Sequence, residues 1–249
     1  MCGIAGVVDL RGDRRIPSPA VVDAMTDALA RRGPDGRGVW RSENAALGHR
    51  RLAILDPTET AAQPMVKDGV AIVFNGEIYN FKSLRNELEA RGQRFTSTGD
   101  TEILLGAWRE WGPAMVPKLN GIFAFCIVDE RKKPHRVFLA RDHVGVKPMF
   151  VHVDGGVLRF GSEMKAILAD PDVRRAPRLE ALDCFLTHAY VPHPLTAFDG
   201  IEQLPPASTW SCEIGGAPTV QTYWRPVVDE RKLSMDDALY AVRTQLHKS

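Results

Sequence analysis

Cys2 stands directly behind Met1, at the head of the apolar run Ile4, Ala5, Val7 and Val8. Chain termini are normally the least ordered parts of a domain. This run, with its β-branched residues, reads instead as a buried central strand. A cysteine there is held in place and lies one peptide bond from becoming the N-terminal residue. Removal of Met1 would leave a thiol and a free α-amine on one residue. Their reference pKa values, about 8.5 and about 7.7–8.0, make the amine a competent base near neutral pH. It can take the thiol proton directly or through one water, as the amine of an N-terminal threonine nucleophile does, and no histidine is required. An ordinary small strand residue would suit the same position, so Cys2 alone does not decide the matter.

A thiolate that attacks an amide needs donors for the developing oxyanion. The segment "FNGEIYN" offers the Asn75 side-chain amide and the backbone N–H of Gly76, placed just after an apolar strand where a tight turn would expose them. An ordinary N-G turn has the same appearance. An amino-acid substrate also needs a cation for its carboxylate and an anion for its ammonium. "GHRRLAILD" supplies Arg50 and Arg51, whose guanidinium forks match a carboxylate. "STGDTE" supplies Asp100 and Glu102 at a loop-to-helix junction, where Asp100 would serve equally as a helix cap.

These residues must be positioned by regular elements. Residues 2–8 read as a strand, and "SPAVVDAMTDALARRG" as a helix with Ser18 as cap and Val21, Val22, Met25, Ala28 and Leu29 on one face. Short strands are expected at 38–40, 45–48 and 52–55. "VAIVFNGEIYN" is a strand running into a turn. "FKSLRNELEARG" is a helix capped by Asn80, and "TEILLGAWREWG" a second helix with Ile103, Leu104, Ala107, Trp108 and Trp111 inward. Then "GIFAFCIVD", "RVFLARD", "PMFVHVD" and "VLRFGSE" follow at hairpin-like spacing. Residues 163–169 and 178–188 suit short helices, 190–229 read as connecting structure, and Ser234 starts a last helix. Strands, then helices, then strands predict an α+β fold with two antiparallel sheets between helical layers.

Composition narrows the partners. Net charge is +1 with the two signs interspersed, which is no footprint for nucleic acid. No apolar run approaches the ~20 residues that span a bilayer, and no secretory signal opens the chain. The cysteines at 2, 126, 184 and 212 form no CxxC pair, so neither a zinc site nor a redox pair is expected. His188 and His193 have no third ligand near in sequence and read as structural. Cys126, inside "GIFAFCIV", reads as a buried strand residue. A reducing cytoplasm fits this cysteine usage.

The segments "MCGIAG", "RRGPDG", "GHRRLAILD", "FNGEIYN", "STGDTEILL", "GIFAFCIVD", "ARDHVGVKPMF" and "FGSEMKAIL" occur in this order. Together they resemble the glutaminase domain of the glutamine-dependent asparagine synthetases, a class II, N-terminal-nucleophile group of amidotransferases. "RRGPDG" followed by "NGEIYN" resembles that branch and not the sugar-phosphate or purine-pathway branches. The resemblance implies a four-layer αββα sandwich, the N-terminal nucleophile hydrolase fold, over residues 2–210. Residues 211–249 would then be a linker and the first helix of a truncated synthetase domain. It implies hydrolysis of L-glutamine to glutamate and ammonia, with Cys2 as nucleophile and Asn75 and Gly76 as oxyanion donors. Arg51 would hold the substrate carboxylate; Arg50 falls at a position that varies. Asp100, helped by Glu77, would receive the α-ammonium. No metal or cofactor is expected in this chain. ATP and Mg²⁺ are expected only for the synthetase half, whose Ser-Gly-Gly-x-Asp-Ser loop is absent here and which would amidate aspartate. A homodimer is compatible with the family. Two other readings are a glutaminase domain that serves a pathway-specific amide-forming enzyme with another acceptor, and a non-enzymatic interaction fragment.

Overall fold

Alternating side chains build two sheets whose inner faces meet. A computed structural model describes residues 1–13, 16–228 and 233–248. In chain order the elements are β1 (Gly3–Asp9), α1 (Pro19–Asp27), β2 (Gly36–Arg41), β3 (Ala45–Arg51), β4 (Met65–Lys67) and β5 (Val70–Ile78). Helices α2 (Phe81–Ala90) and α3 (Thr101–Trp111) follow, then β6 (Gly121–Asp129), β7 (Arg136–Arg141), β8 (Phe150–Asp154) and β9 (Val157–Gly161). The remainder is α4 (Met164–Ile167), α5 (Leu179–His188), β10 (Ile201–Gln203), β11 (Ser208–Glu213), β12 (Thr219–Thr222) and α6 (Met235–Lys248). One six-stranded sheet runs β10-β8-β9-β1-β3-β2 and the other β12-β11-β7-β6-β5-β4. Their strand pairs are antiparallel.

The period-2 alternation of each strand sorts its residues between layers. From β1, Ile4 and Val8 enter the core between the sheets; Ala5 and Val7 pack outward with Val22, Met25 and Leu29 of the α1 region. From β5, Ala71 and Val73 face inward, while Ile72 and Phe74 pack against Leu84, Leu88, Leu104 and Trp108 of α2 and α3. The architecture is therefore helix, sheet, sheet, helix, an αββα sandwich. Cys126 is wholly buried between the sheets.

Several local expectations give way. Residues 52–55 form no strand: the pairing of β3 ends with Arg51 opposite Gly36, and the chain turns out as a loop that returns at β4. Residues 190–229 contain three strands that the high Pro and Gly content hides, and β11 and β12 carry the second sheet to Thr222. Neither Ser18 nor Asn80 caps its helix through the side chain. Asn80 instead ties the loop before β6, donating to the Lys118 carbonyl and accepting from the Asn120 N–H, each at 2.9 Å. Ser234 does cap α6, accepting the Asp237 N–H at 3.2 Å. Among the described residues no helix is long and apolar enough to cross a membrane.

Candidate active site

The sandwich opens at one end, where the inward faces of β1, β3 and β5 run out of apolar residues. Cys2 precedes β1 in the parity of Ile4, Arg51 ends β3 in the parity of Ala45 and Leu47, and Asn75 and Glu77 lie on β5 in the parity of Ala71 and Val73. All four line one pocket, with Gly76 and Asp100 completing its wall. The sequence-predicted residues from four distant segments are thus brought together.

Cys2 is anchored on both sides. Arg32 Nε donates to the Cys2 carbonyl at 2.9 Å, and Arg32 Nη1 pairs with Glu163 at 3.1 Å. The thiol lies in the grip of Leu52: the Leu52 N–H donates to Sγ at 3.3 Å and the Leu52 carbonyl accepts from Sγ at 3.6 Å.

Asn75 and Gly76 are not a turn. They are paired residues inside β5, opposite Ala124 and Phe123 of β6. Exposure comes from the sheet edge. Strand β4 covers β5 only as far as Ile72, so beyond it alternate residues of β5 direct backbone groups at open space. The Phe74 N–H is taken by Gln63 Oε1 at 2.6 Å and the Ile78 N–H by Asp100 Oδ2 at 3.0 Å. Between them the Gly76 N–H points the same way, because its partner Phe123 turns both backbone groups to Asp142. No hydrogen bond to the Gly76 N–H occurs among the described residues. Asn75 Nδ2 is also without a partner, and it is buried. A buried donor is costly to leave unpaired unless something is destined to accept from it. Two adjacent orphan donors at the thiol pocket form a ready oxyanion site. Position 76 admits no side chain: a Cβ would lie 2.2 Å from the Ile122 carbonyl oxygen.

Strand parity separates the two arginines. Arg51 lies in the pocket wall, its guanidinium held by the carbonyls of Asp56 and of Thr58, the latter at 2.9 Å. Arg50, one residue earlier, points to the opposite face and pairs with Asp27 of α1. The two carboxylates of "STGDTE" also divide. Glu102 is turned away, receiving the N–H groups of Thr96 and Ser97 and the Lys67 ammonium at 2.7–2.8 Å, which hold its carboxyl below the usual range against the opposing effect of burial. Asp100 occupies the cap position of α3 but makes no side-chain cap bond. Its buried carboxyl is pushed up to about 6, first by desolvation and then by the Glu77 charge, with the Ile78 N–H opposing.

Three contributors carried no signal of their own in the sequence. Arg32 sits within "RRGPDG" but reaches Cys2 only through the return of the chain from α1. Gln63 lies in a loop and Lys147 in a turn, and both line the pocket. Lys147 Nζ is 3.2 Å from Met1 Sδ. Among the described residues no group of three or more His, Cys, Asp or Glu is placed to hold a metal ion.

Comparison with known proteins agrees with this geometry. Residues 1–224 match the glutamine amidotransferase domain family. The chain is 39% identical over 249 residues to asparagine synthetase [glutamine-hydrolyzing] 3 of Bacillus subtilis (strain 168), spanning 98% of this chain and 40% of that protein. It is 37% identical over 171 residues to asparagine synthetase B [glutamine-hydrolyzing] of Escherichia coli (strain K12), spanning 68% of this chain and 30% of that protein. The chain thus spans less than half the length of these relatives. The solved glutamine phosphoribosylpyrophosphate amidotransferase of B. subtilis superposes with a TM-score of 0.64 at 18% identity, over 91% of this chain and 50% of that one, a likeness of fold. A family match over nearly the whole chain, on a sandwich that gathers a thiol, two orphan donors, an arginine and a buried carboxylate, makes this chain a member of the glutamine amidotransferase domain family.

Proposed function

We propose that this domain hydrolyses L-glutamine to glutamate and ammonia. The observation that carries the reading is the meeting of the Cys2 thiol with the unpartnered Asn75 Nδ2 and Gly76 N–H donors in one pocket. Removal of Met1 frees the Cys2 α-amine, which takes the thiol proton. The thiolate attacks the carboxamide carbon of glutamine, and the two donors hold the oxyanion. Collapse expels ammonia, which leaves with the proton from the α-ammonium, and a γ-glutamyl thioester remains. Water, deprotonated by the same amine, attacks the thioester, and glutamate departs as the thiol is restored. Arg51 receives the substrate α-carboxylate as a guanidinium fork; Asp100 and Glu77 receive the α-ammonium.

The named relatives favour asparagine synthesis as the destination of the ammonia. In that reading a synthetase portion outside this chain adenylates aspartate with ATP and Mg²⁺, and ammonia displaces AMP. The glutaminase half is tested directly. Intact mass after treatment with diazo-oxo-norleucine is expected to show loss of Met1 and one adduct, mapped to Cys2. Cys2→Ala is expected to abolish both adduct and glutamine hydrolysis while leaving the melting temperature within a few degrees. A processed chain that neither hydrolyses glutamine nor forms the adduct overturns the reading.

A further inference from the structure

The nucleophile and its oxyanion donors belong to different sheets. Cys2 heads β1 of one sheet, while Asn75 and Gly76 lie on β5 of the other. Their separation, which must hold to a fraction of an ångström for efficient catalysis, is therefore set by whatever fixes the gap between the sheets at this end. The apolar inter-sheet core stops short of it: on β5 the last inward apolar residue is Val73.

Two polar side chains cross the gap there, and both meet at Phe74, the residue before Asn75. Gln63 Oε1 accepts the Phe74 N–H at 2.6 Å, and Gln63 Nε2 donates to Thr101 Oγ1 at 3.2 Å. The Gln63 main chain is pressed against β2 of the other sheet, where Gly38 has no room for a Cβ: it would lie 2.1 Å from the Gln63 carbonyl oxygen. His49, on β3 of that same sheet, reaches across to the Phe74 carbonyl with Nε2 at 3.3 Å. Burial holds the imidazole down to about 3. It is neutral throughout the working range, and a ring nitrogen facing a carbonyl carries the proton and donates. Both backbone groups of Phe74 are thus fixed by side chains whose own backbones sit on or against the nucleophile's sheet.

We infer that Gln63 and His49 are positioning residues of the reaction, polar braces that set the spacing between the Cys2 thiol and the Asn75–Gly76 donors. Neither touches the reacting atoms in this role; each acts through the Phe74 peptide. The inference rests on the glutaminase reading above. It distinguishes two properties of the site. The reactivity of the thiol depends on residues of its own sheet and on Leu52. The stabilisation of the oxyanion depends on the braces.

The test compares these properties in the processed protein. Steady-state glutamine hydrolysis reports the oxyanion. The rate of Cys2 alkylation by iodoacetamide, followed by peptide mass, reports the thiol alone, because alkylation forms no oxyanion. Gln63→Leu and His49→Leu are expected to lower kcat on the order of 10- to 100-fold. KM should change less than about threefold and the alkylation rate less than about twofold, since ground-state binding and thiol activation lie elsewhere. His49→Gln, which returns an N–H at similar reach, is expected to recover most of the kcat lost in His49→Leu. Should Gln63→Leu fail to fold, the two His49 variants decide the matter. Unchanged kcat in the leucine variants overturns the inference, as does alkylation falling in step with kcat, or His49→Gln performing no better than His49→Leu. Each of those outcomes leaves the glutaminase reading intact. A wild-type protein that neither hydrolyses glutamine nor reacts at Cys2 overturns that reading and this inference together.

Discussion

Asp100, proposed above as the partner of the substrate ammonium, is a burden on the fold. Its carboxyl is buried and raised from 3.8 to about 6. A carboxyl whose pKa rises on folding is harder to ionise in the native state, so folding loses stability as pH climbs from the unfolded value through about 6 and keeps that deficit above it. A rise of this size corresponds to a deficit on the order of 3 kcal/mol at pH 7. Asp100→Asn, which keeps an acceptor for the Ile78 N–H, is therefore expected to raise the melting temperature by several degrees at pH 7.5 and by much less at pH 4.5. In the same variant KM for glutamine should rise at least tenfold, because the α-ammonium loses its charged partner. In the wild type KM should rise as pH falls below about 6, where Asp100 takes up a proton. Thermal melts and kinetics across pH 4.5–8 check both signs.

Among the strands and helices, the decisive feature is the short reach of β4. Because it pairs with β5 only from Val70 to Ile72, the following stretch of β5 keeps an open edge. Such edges are normally a hazard and are covered. Here Gln63 and Asp100 cover the edge on either side of Gly76 and leave its N–H clear. Glycine is required there for packing, since an added Cβ would also lie 2.7 Å from Phe123 Cα, which is backbone and cannot yield. Gly76→Ala is expected to destabilise the domain by at least about 2 kcal/mol and to push β5 away from β6. Urea denaturation measures the first effect. Loss of glutamine hydrolysis larger than the stability change accounts for would register the second.

The molecule as a whole places its site where its core ends. The apolar layer between the sheets fixes the two walls, and the pocket is the continuation of that layer in polar residues. Leu47 is wholly buried in this layer, two residues before His49 on the same face of β3. Leu47→Ala is expected to cost about 2–5 kcal/mol and to lower activity as the sheets settle toward each other. Leu186, on α5, is 76% exposed. Leu186→Ala should stay within about 0.5 kcal/mol and leave hydrolysis unchanged. Urea midpoints of the two variants provide the comparison.

Residue types and local patterning offered candidate groups and the class of fold, and the resemblance of the ordered motifs to a known family assigned those groups their proposed roles. A cysteine behind Met1, the N-G pair, the arginine pair and Asp100 were legible because residue type dictates what a side chain can donate, accept or attack. The two-sheet architecture was legible because alternation and turn residues are local signals. What lay beyond them were matters of pairing between distant segments. Asn75 and Gly76 read locally as a turn, and only the register with β6 and the early end of β4 made them an open sheet edge. Strand parity favoured one arginine over the other only once β3 had a fixed inner face, and Asp100 left its helix cap for a backbone N–H of another element. Strands β10 to β12 escaped notice because β10 and β12 are short edge strands and β11 is held between β12 and β7, so that their stability comes from neighbours and not from propensity. Arg32, Gln63 and His49 gave no sign of their places, since a brace is defined by what it spans, and that distance exists only after the sheets have packed.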